Sequence, residues 1–464
     1  MDRLPWTRFH WSVVLGLGVS WILDGLEIQL VSAGGFQNSL HMSTSQVQST
    51  ATVYLVGQVV GALVFGRMTD SIGRKRLFIL TLAIYLAGSG LAGLSFNVIM
   101  FWLFRFVAGM GIGGEYTAIN SAIDELIPSR YRGRVDIAVN GTYWGGAALG
   151  ALAGIVTFSV FSDNWAWRIG FFIGPVLGLF IIYLRRHIPE SPRWLLTHGQ
   201  AERADRTVDE IESRVRSQGI DLPPVPKEKA MAVIDYPRVP FGQLARIFIK
   251  QYPRRTVLGL TMMVTQSFLY NAIFFSQGNV LKGFYGVSQA NVGYFFFPFA
   301  IGNLAGPLVL GRLFDTYGRR KMIFGTYLIS GLVLAASAFL FQAGALNATT
   351  QTIFWCVSFF FASAGASSAY LTVSEVFPLE VRGQAISYFF CIAQAAGALA
   401  PLLYGVLMGN FTSRGPLTVG YLIGAAVMIL GGVVALAMGI NAERQALEDV
   451  ADPLSKVAMP GAAA

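Results

Sequence analysis

The 464-residue chain is 54% hydrophobic and only 13% charged, against about 25% charged in an ordinary soluble domain. So few polar residues cannot cover a water-soluble protein of this size, and a soluble globule is excluded. The net charge of +9 would suit a nucleic-acid binder, but its placement along the chain excludes that class as well.

Charge-poor windows long enough to cross a bilayer as helices fall near 11–33, 48–69, 76–94, 98–124, 136–160 and 168–185 in the first half of the chain. In the second half they fall near 256–281, 290–311, 321–343, 352–376, 384–408 and 417–440. Leu77–Leu94 and Leu417–Ile440 hold no charge at all. The first window contains Asp24 and Glu27, unlike the short uncharged core of a leader peptide, so no cleaved signal is expected. A polar stretch from about Arg185 to Arg255 separates the two sets of six. It opens with PESPRWL (Pro189–Leu195), where Ser191 suits a helix N-cap and Pro192 the first helical position. A helix through Glu202, Asp209, Glu210 and Arg214 should follow, ended by DLPPVP, and the segment reads as a linker or a regulatory latch. Cys356 and Cys391 lie in apolar windows and carry no disulfide signal. The Phe-rich runs Phe295–Phe297 and Phe359–Phe361 are expected to face lipid.

These elements predict an all-α membrane protein with twelve transmembrane helices in two six-helix bundles. The bundles span 1–186 and 255–442, with a helix-containing linker over 187–254 and a tail over 443–464. With the amino terminus inside, 30 of the 34 Lys and Arg fall in inner segments. Only Arg168, Lys282 and Arg414 fall outside, and Arg105 alone lies within a window. Inner loops retain basic residues, so the positive charge reports topology. The expected location is a plasma membrane, bacterial inner membrane by its compact loops, crossed many times with both termini cytoplasmic. The lipid bilayer is a partner and nucleic acid is not; a monomer is expected.

Two phrases recur. GRMTDSIGRKR (Gly66–Arg76) returns 245 residues later as GRLFDTYGRRK (Gly311–Lys321), and ELIPSRYRG (Glu125–Gly133) returns 250 residues later as EVFPLEVRG (Glu375–Gly383). Matched phrases in the same order and at nearly the same offset indicate a duplicated set of six helices. Such repeats bracket a binding site near the middle of the membrane.

With these phrases, the chain resembles the major facilitator superfamily along essentially its whole length. The doubled loop phrase G-x-x-x-D-x-x-G-R-[KR] carries the resemblance. PESPRWL, the R-x-x-x-G-x-G-x-G run at Arg105–Gly113 and the paired E-x6-R phrases are similar to its sugar-porter branch. Asp24-Gly-Leu-Glu27 is similar instead to the first helix of proton-coupled aromatic-acid symporters. The sugar-porter pattern is incomplete: on the seventh helix one Gln (Gln266) and the Asn (Asn271) persist, and the closing phrase is replaced by NAERQALED.

The resemblance implies a cytoplasmic latch of Asp70, Arg74, Glu125 and Arg132, mirrored by Asp315, Arg319, Glu375 and Arg382. Within the bilayer, Asp24, Glu27, Arg105 and Glu115 each need a cavity or a partner. Asp24 and Glu27, three residues apart, share a face of their helix. Acids outnumber Arg105 three to one, so at least one is expected to be protonated for part of the time. That suggests proton coupling, with Glu27 pairing with Arg105 and Asp24 or Glu115 as further carriers. For substrate, the resemblance points to a central cavity. Arg105, Gln266, Tyr270, Asn271 and Gln277 are candidates, with Tyr54 and Gln58 on the second helix. Asn140, Trp144, Asn303, Trp355 and Gln394 are further candidates. No His, Cys or carboxylate cluster has metal or nucleophile spacing and no phosphate loop occurs, so no enzyme, metal or cofactor is expected. The expected function is secondary active transport, proton-coupled symport of a small organic solute by alternating access. An aromatic or heterocyclic carboxylate is slightly favoured. A sugar or polyol symporter, or a facilitator or solute sensor without proton coupling, is the alternative.

Overall fold

The computed structural model describes residues 3–32, 36–42, 44–185, 189–224, 232–233, 239–287, 291–409, 411–443, 445–454 and 456–457. Twelve long helices form its body. The first half holds α1 (Arg8–Ser32), α2 (Thr44–Ile72), α3 (Arg74–Gly93), α4 (Val98–Leu126), α5 (Ser129–Val160) and α6 (Asp163–Arg185). The second holds α7 (Pro253–Tyr285), α8 (Val292–Thr316), α9 (Arg319–Gln342), α10 (Ala348–Val376), α11 (Leu379–Met408) and α12 (Gly415–Met438). Nine of them, all but α2, α5 and α6, are long and apolar enough among the described residues to cross a membrane. Several helices run past their apolar windows into the charged phrases, because hydropathy marks only the part in hydrocarbon.

The duplication is written into the corners. Gly73 and Gly318, between α2 and α3 and between α8 and α9, have φ of 92° and 99°, a region that side-chain-bearing residues rarely enter. Pro128 and Pro378 open α5 and α11. Each forces the preceding residue, Ile127 or Phe377, into extended backbone and ends the helix before it. Packing repeats too: α1 meets α5 as α7 meets α11, α2 meets α4 as α8 meets α10, and α3 meets α6 as α9 meets α12. The halves join through α2 on α11 and α5 on α8. The end of the molecule that carries the loop phrases is called the basic end below.

Glycine sets the closest approach. A Cβ on Gly57 would lie 2.3 Å from the carbonyl oxygen of Phe106, and one on Gly61 2.0 Å from that of Met110. Across the same contact, a Cβ on Gly109 or Gly113 would fall 2.2 or 2.0 Å from the carbonyls of Tyr54 and Gln58. Two small-x-x-x-small stripes thus press α2 and α4 together, the way helices associate where lipid is as apolar as the side chains.

One expectation fails here. Phe359 does not face lipid; it is buried, with its ring centroid 5.0 Å from that of Tyr270 and 4.9 Å from that of Phe299. Its helix α10 lies against α7, α8 and α9, so this face sees protein. Phe297 is exposed, while Phe295 and Phe296 are half-buried.

The linker and tail are docked under the bundles. Ser191 caps the short helix Pro192–Leu196 by accepting from the Trp194 amide at 3.1 Å. The helix Ala201–Arg216 buries Ile211 and Val215 against Leu4, Phe9 and Ile127 of the first half. Residues 447–450 form one turn with Leu447 and Val450 buried, and Ala232–Val233 pairs antiparallel with Lys456–Val457.

Gly113→Val should lower stability by about 1–3 kcal/mol through overpacking. Gly405→Ala, where an added Cβ meets nothing within 4 Å, should leave it unchanged. Thermal unfolding of the detergent-purified variants checks both.

Candidate functional site

A cavity of about 180 Å³ lies between the halves. Five carboxamides line it: Gln58 and Asn140 from the first half, Gln266, Asn271 and Gln394 from the second. Its aromatic walls include Trp21, Tyr143, Trp144, Tyr270 and Phe274. No Lys, Arg, His, Asp or Glu is among the described lining residues. The carboxamides are organised across the gap. The Ser267 hydroxyl donates to Gln394 Oε1 at 2.8 Å, and Gln394 Nε2 donates to Gln58 Oε1 at 2.8 Å, joining α7, α11 and α2. Asn271 Nδ2 donates to the Ser267 carbonyl at 2.8 Å.

Of the twelve candidate substrate residues, the structure brings Gln58, Asn140, Trp144, Gln266, Tyr270, Asn271 and Gln394 to this cavity. The other five lie elsewhere. Asn303 stands behind the wall and accepts from the Tyr270 hydroxyl at 2.9 Å, holding that ring in place. Gln277 and Trp355 are fully buried within the second half. Tyr54 and Arg105 belong to the charged group described next.

The sequence reading missed the floor. Trp21 of α1, Tyr116 of α4 and Tyr370 of α10 line the cavity, and Phe390 of α11 is buried beside them. Each is the residue nearest the basic end on its own helix's approach to the cavity. The Trp21 and Tyr116 ring centroids are 4.1 Å apart, Tyr116 and Phe390 4.5 Å, and Tyr116 and Tyr370 5.8 Å. Two rings from each half therefore close the bottom of the cavity. Single aromatic residues in apolar helices give no periodic signal that separates such a floor from ordinary core.

Beside the cavity, and not in it, sits a buried ion pair. Arg105 Nη1 bonds Glu27 Oε1, and its guanidinium lies 4.1 Å from the centroid of the Tyr54 ring. The Tyr54 hydroxyl donates to Asp24 Oδ1 at 2.8 Å. Arg105 is thus engaged by Glu27 and the Tyr54 ring, and it is not among the residues that line the cavity. Glu115 is buried on α4, one residue before the floor residue Tyr116.

At the basic end, two mirrored quartets were expected; among the described side chains, Asp315, Arg319 and Glu375 of the second are joined, and their network also crosses between the halves. Arg132 Nη1 of the first half bonds Glu375 Oε1 of the second at 3.3 Å. Glu375 Oε2 also bonds Arg319, and Arg319 holds Asp315 at 3.3 Å. Asp315 Oδ2 in turn accepts from the Arg134 amide at 2.8 Å, a second crossing. Arg382 Nη2 reaches the Phe377 carbonyl of its own corner at 3.3 Å. Glu125 is buried, and its carbonyl accepts from Arg193 at 3.0 Å. The side chains of Asp70 and Arg74 lie outside the described residues. Contacts of opposite halves form because the two phrases end facing helices, a fact no single-chain spacing contains. Asp136, fully buried on α5, was passed over as the edge of a window.

Two further acids complete this end. Glu190 of PESPRWL accepts from the Lys75 amide at 3.3 Å, placing a carboxylate at the positive start of α3. In the second half, a Cβ on Gly318 would lie 3.0 Å from Glu443 Oε1. The tail is held by Arg193, whose Nε donates to Glu448 Oε1 at 2.6 Å. Burial alone would raise the Glu448 carboxyl. The charge and hydrogen bond of Arg193, with the charge of Arg382, outweigh it and hold the group down at about 2.

A family model for sugar (and other) transporters matches residues 24–451. The chain belongs to this family of the major facilitator superfamily. It is 28% identical to YdjK, a candidate metabolite transport protein of Escherichia coli, over 97% of this chain and 96% of that one. It is 24% identical to the niacin transporter NiaP of Acinetobacter baylyi, over 88% and 89%. Among solved structures it is similar to the proton:xylose symporter XylE of Escherichia coli, with a TM-score of 0.77 and 17% identity over 96% of this chain and 98% of that chain. The protein is a multi-pass membrane transporter with the two-bundle facilitator fold, and not an enzyme.

In this transporter the Arg193–Glu448 pair gives tail docking a defined pH range. The carboxyl is held at about 2 against an ordinary 4.5, so the contribution is present above about 4.5 and fades as pH falls through about 2. Limited proteolysis should find the tail protected from pH 7 down to about 4.5, and Arg193→Gln should expose it already at pH 7.

Proposed function

We propose that the protein is a proton-coupled symporter that carries a small uncharged ring solute by alternating access. Its basic end would face the cytoplasm of a bacterial inner membrane, with both termini on that side. The observation that carries this reading is a division of labour. Carboxamides and aromatic faces line the cavity, while the ionisable groups Glu27, Arg105 and Asp24 are buried outside its lining, Glu27 next in sequence to the lining residue Ile28. A proton taken by this buried group changes the charge beside the substrate space without competing for it, and Arg105 must then find another partner. That is a way for one binding event to bias another. The cross-half network of Arg132, Glu375, Arg319 and Asp315 acts as the latch of the inward-closed state, above which the four-ring floor seals the cavity.

An organic anion has less support, because no cation is among the described lining residues of the cavity. Five carboxamides, several hydroxyls and a Trp face suit the donors, acceptors and flat rim of a sugar or cyclic polyol. The second reading is a heteroaromatic acid carried in its neutral form, favoured by the number of rings in the wall and by the niacin transporter among the relatives. A thermal-shift screen of monosaccharides, cyclic polyols and pyridine carboxylates against the purified protein separates the two.

Glu27→Gln should reduce proton-driven accumulation in vesicles by about tenfold or more while solute exchange persists. Unchanged accumulation would remove Glu27 as the coupling site.

A further inference from the structure

The internal repeat exposes a buried charge that packing does not require. The E-x6-R phrases superimpose at an offset of 250 residues, Glu125 on Glu375, Pro128 on Pro378, Arg132 on Arg382 and Gly133 on Gly383. Four residues after each Arg the second half has Ile386 and the first has Asp136, and both are fully buried. The position takes an apolar side chain in one copy of the fold. A carboxylate in the other has a role besides filling space.

Arg132, Asp136 and Asn140 follow at intervals of four on one face of α5. Asn140 lines the cavity and Arg132 reaches across to Glu375, so Asp136 stands between the substrate space and the network. Glu375 is shared, since Arg319 also bonds it and Arg319 in turn holds Asp315. When the halves part at this end, those three charges stay together in the second half. Arg132 leaves with the first half and loses Glu375. In the second half, Arg382 has Ile386 above it, but the docked tail brings Glu448 close enough for Arg382 to lower its pKa.

We propose that Asp136 is a positioning residue for the transport cycle, the counter-ion that Arg132 retains when the basic end opens, as Glu375 is its counter-ion when that end is closed. Both residues ride on one helix, so their Cβ spacing of about 5–6 Å is the same in either state. Among the described residues, Glu125 on α4 is another buried first-half acid near the corner, and it serves as the control. The inference rests on the two-state reading above.

Spin labels at Ser71→Cys and Lys321→Cys, on exposed positions of opposite halves, read the opening of the basic end by double electron–electron resonance. Cys356 and Cys391 are replaced by Ala and the full chain is held in nanodiscs. The background protein should show a short and a long distance. Asp136→Asn should cut the long-distance fraction by about fivefold or more, Asp136→Glu should preserve it, and Arg132→Gln combined with Asp136→Asn should match Arg132→Gln alone, because Asp136 then has no cation to accompany. Asp136→Ser serves in the same comparison where Asp136→Asn yields no folded protein. The proposal is overturned by an unchanged fraction in Asp136→Asn, by a double variant whose fraction falls well below that of Arg132→Gln alone, or by Glu125→Gln alone reproducing the loss. A single distance in the background protein would instead overturn the two-state reading.

Discussion

Hydrocarbon does not tolerate an unaccompanied charge, and a protein that must change shape inside a bilayer has to satisfy that constraint in every state it visits. Even on insertion scales a central charge costs about 2.5–3.5 kcal/mol. Arg105 meets the requirement with Glu27 and the face of Tyr54, deep in the first half. Arg132 meets it with a carboxylate from the opposite half. The first arrangement survives any movement of the halves, and the second does not. That difference separates a group suited to protonation from a group suited to holding one end closed.

The same economy of charge shapes the cavity. Its carboxamides and hydroxyls hydrogen-bond without carrying charge, and they bridge the halves through Ser267, Gln394 and Gln58. Such bonds are individually modest, about 0.5–1.5 kcal/mol net, so a solute that replaces them changes the balance between the halves without a large barrier. Beneath, the rings of Trp21, Tyr116, Tyr370 and Phe390 meet edge-to-face or tilted, contacts that carry no net charge. Elsewhere the contacts are rigid: the glycine stripes of α2 and α4 press backbone on backbone.

Particular residues show how far the chain could be read. Gly73 and Gly318, Pro128 and Pro378 were recognisable because backbone chemistry acts locally, and a glycine or proline has the same effect wherever it falls. Gln266 and Asn271 were recognisable as candidates because the phrase around them resembles a family's. Gln277 and Trp355 had equal claim by composition, yet they turn into the second half's core. A helix window states that a residue is in the membrane but not which neighbour it faces. Asp136 was overlooked for a related reason, since its significance lies in the contrast with Ile386 and in the burial of both.

The sequence by itself determined the twelve-helix plan, the doubling of the six-helix unit and the corners of each copy. All of these follow from hydropathy, repeated spacing and local backbone restriction, which are properties of segments. Only the tertiary structure decided that Arg132 pairs with Glu375, that Arg105 is left out of the cavity lining, and that four rings from four helices close its floor. Those are relations between helices brought together from opposite ends of the chain, and their geometry arises from packing that no one segment encodes.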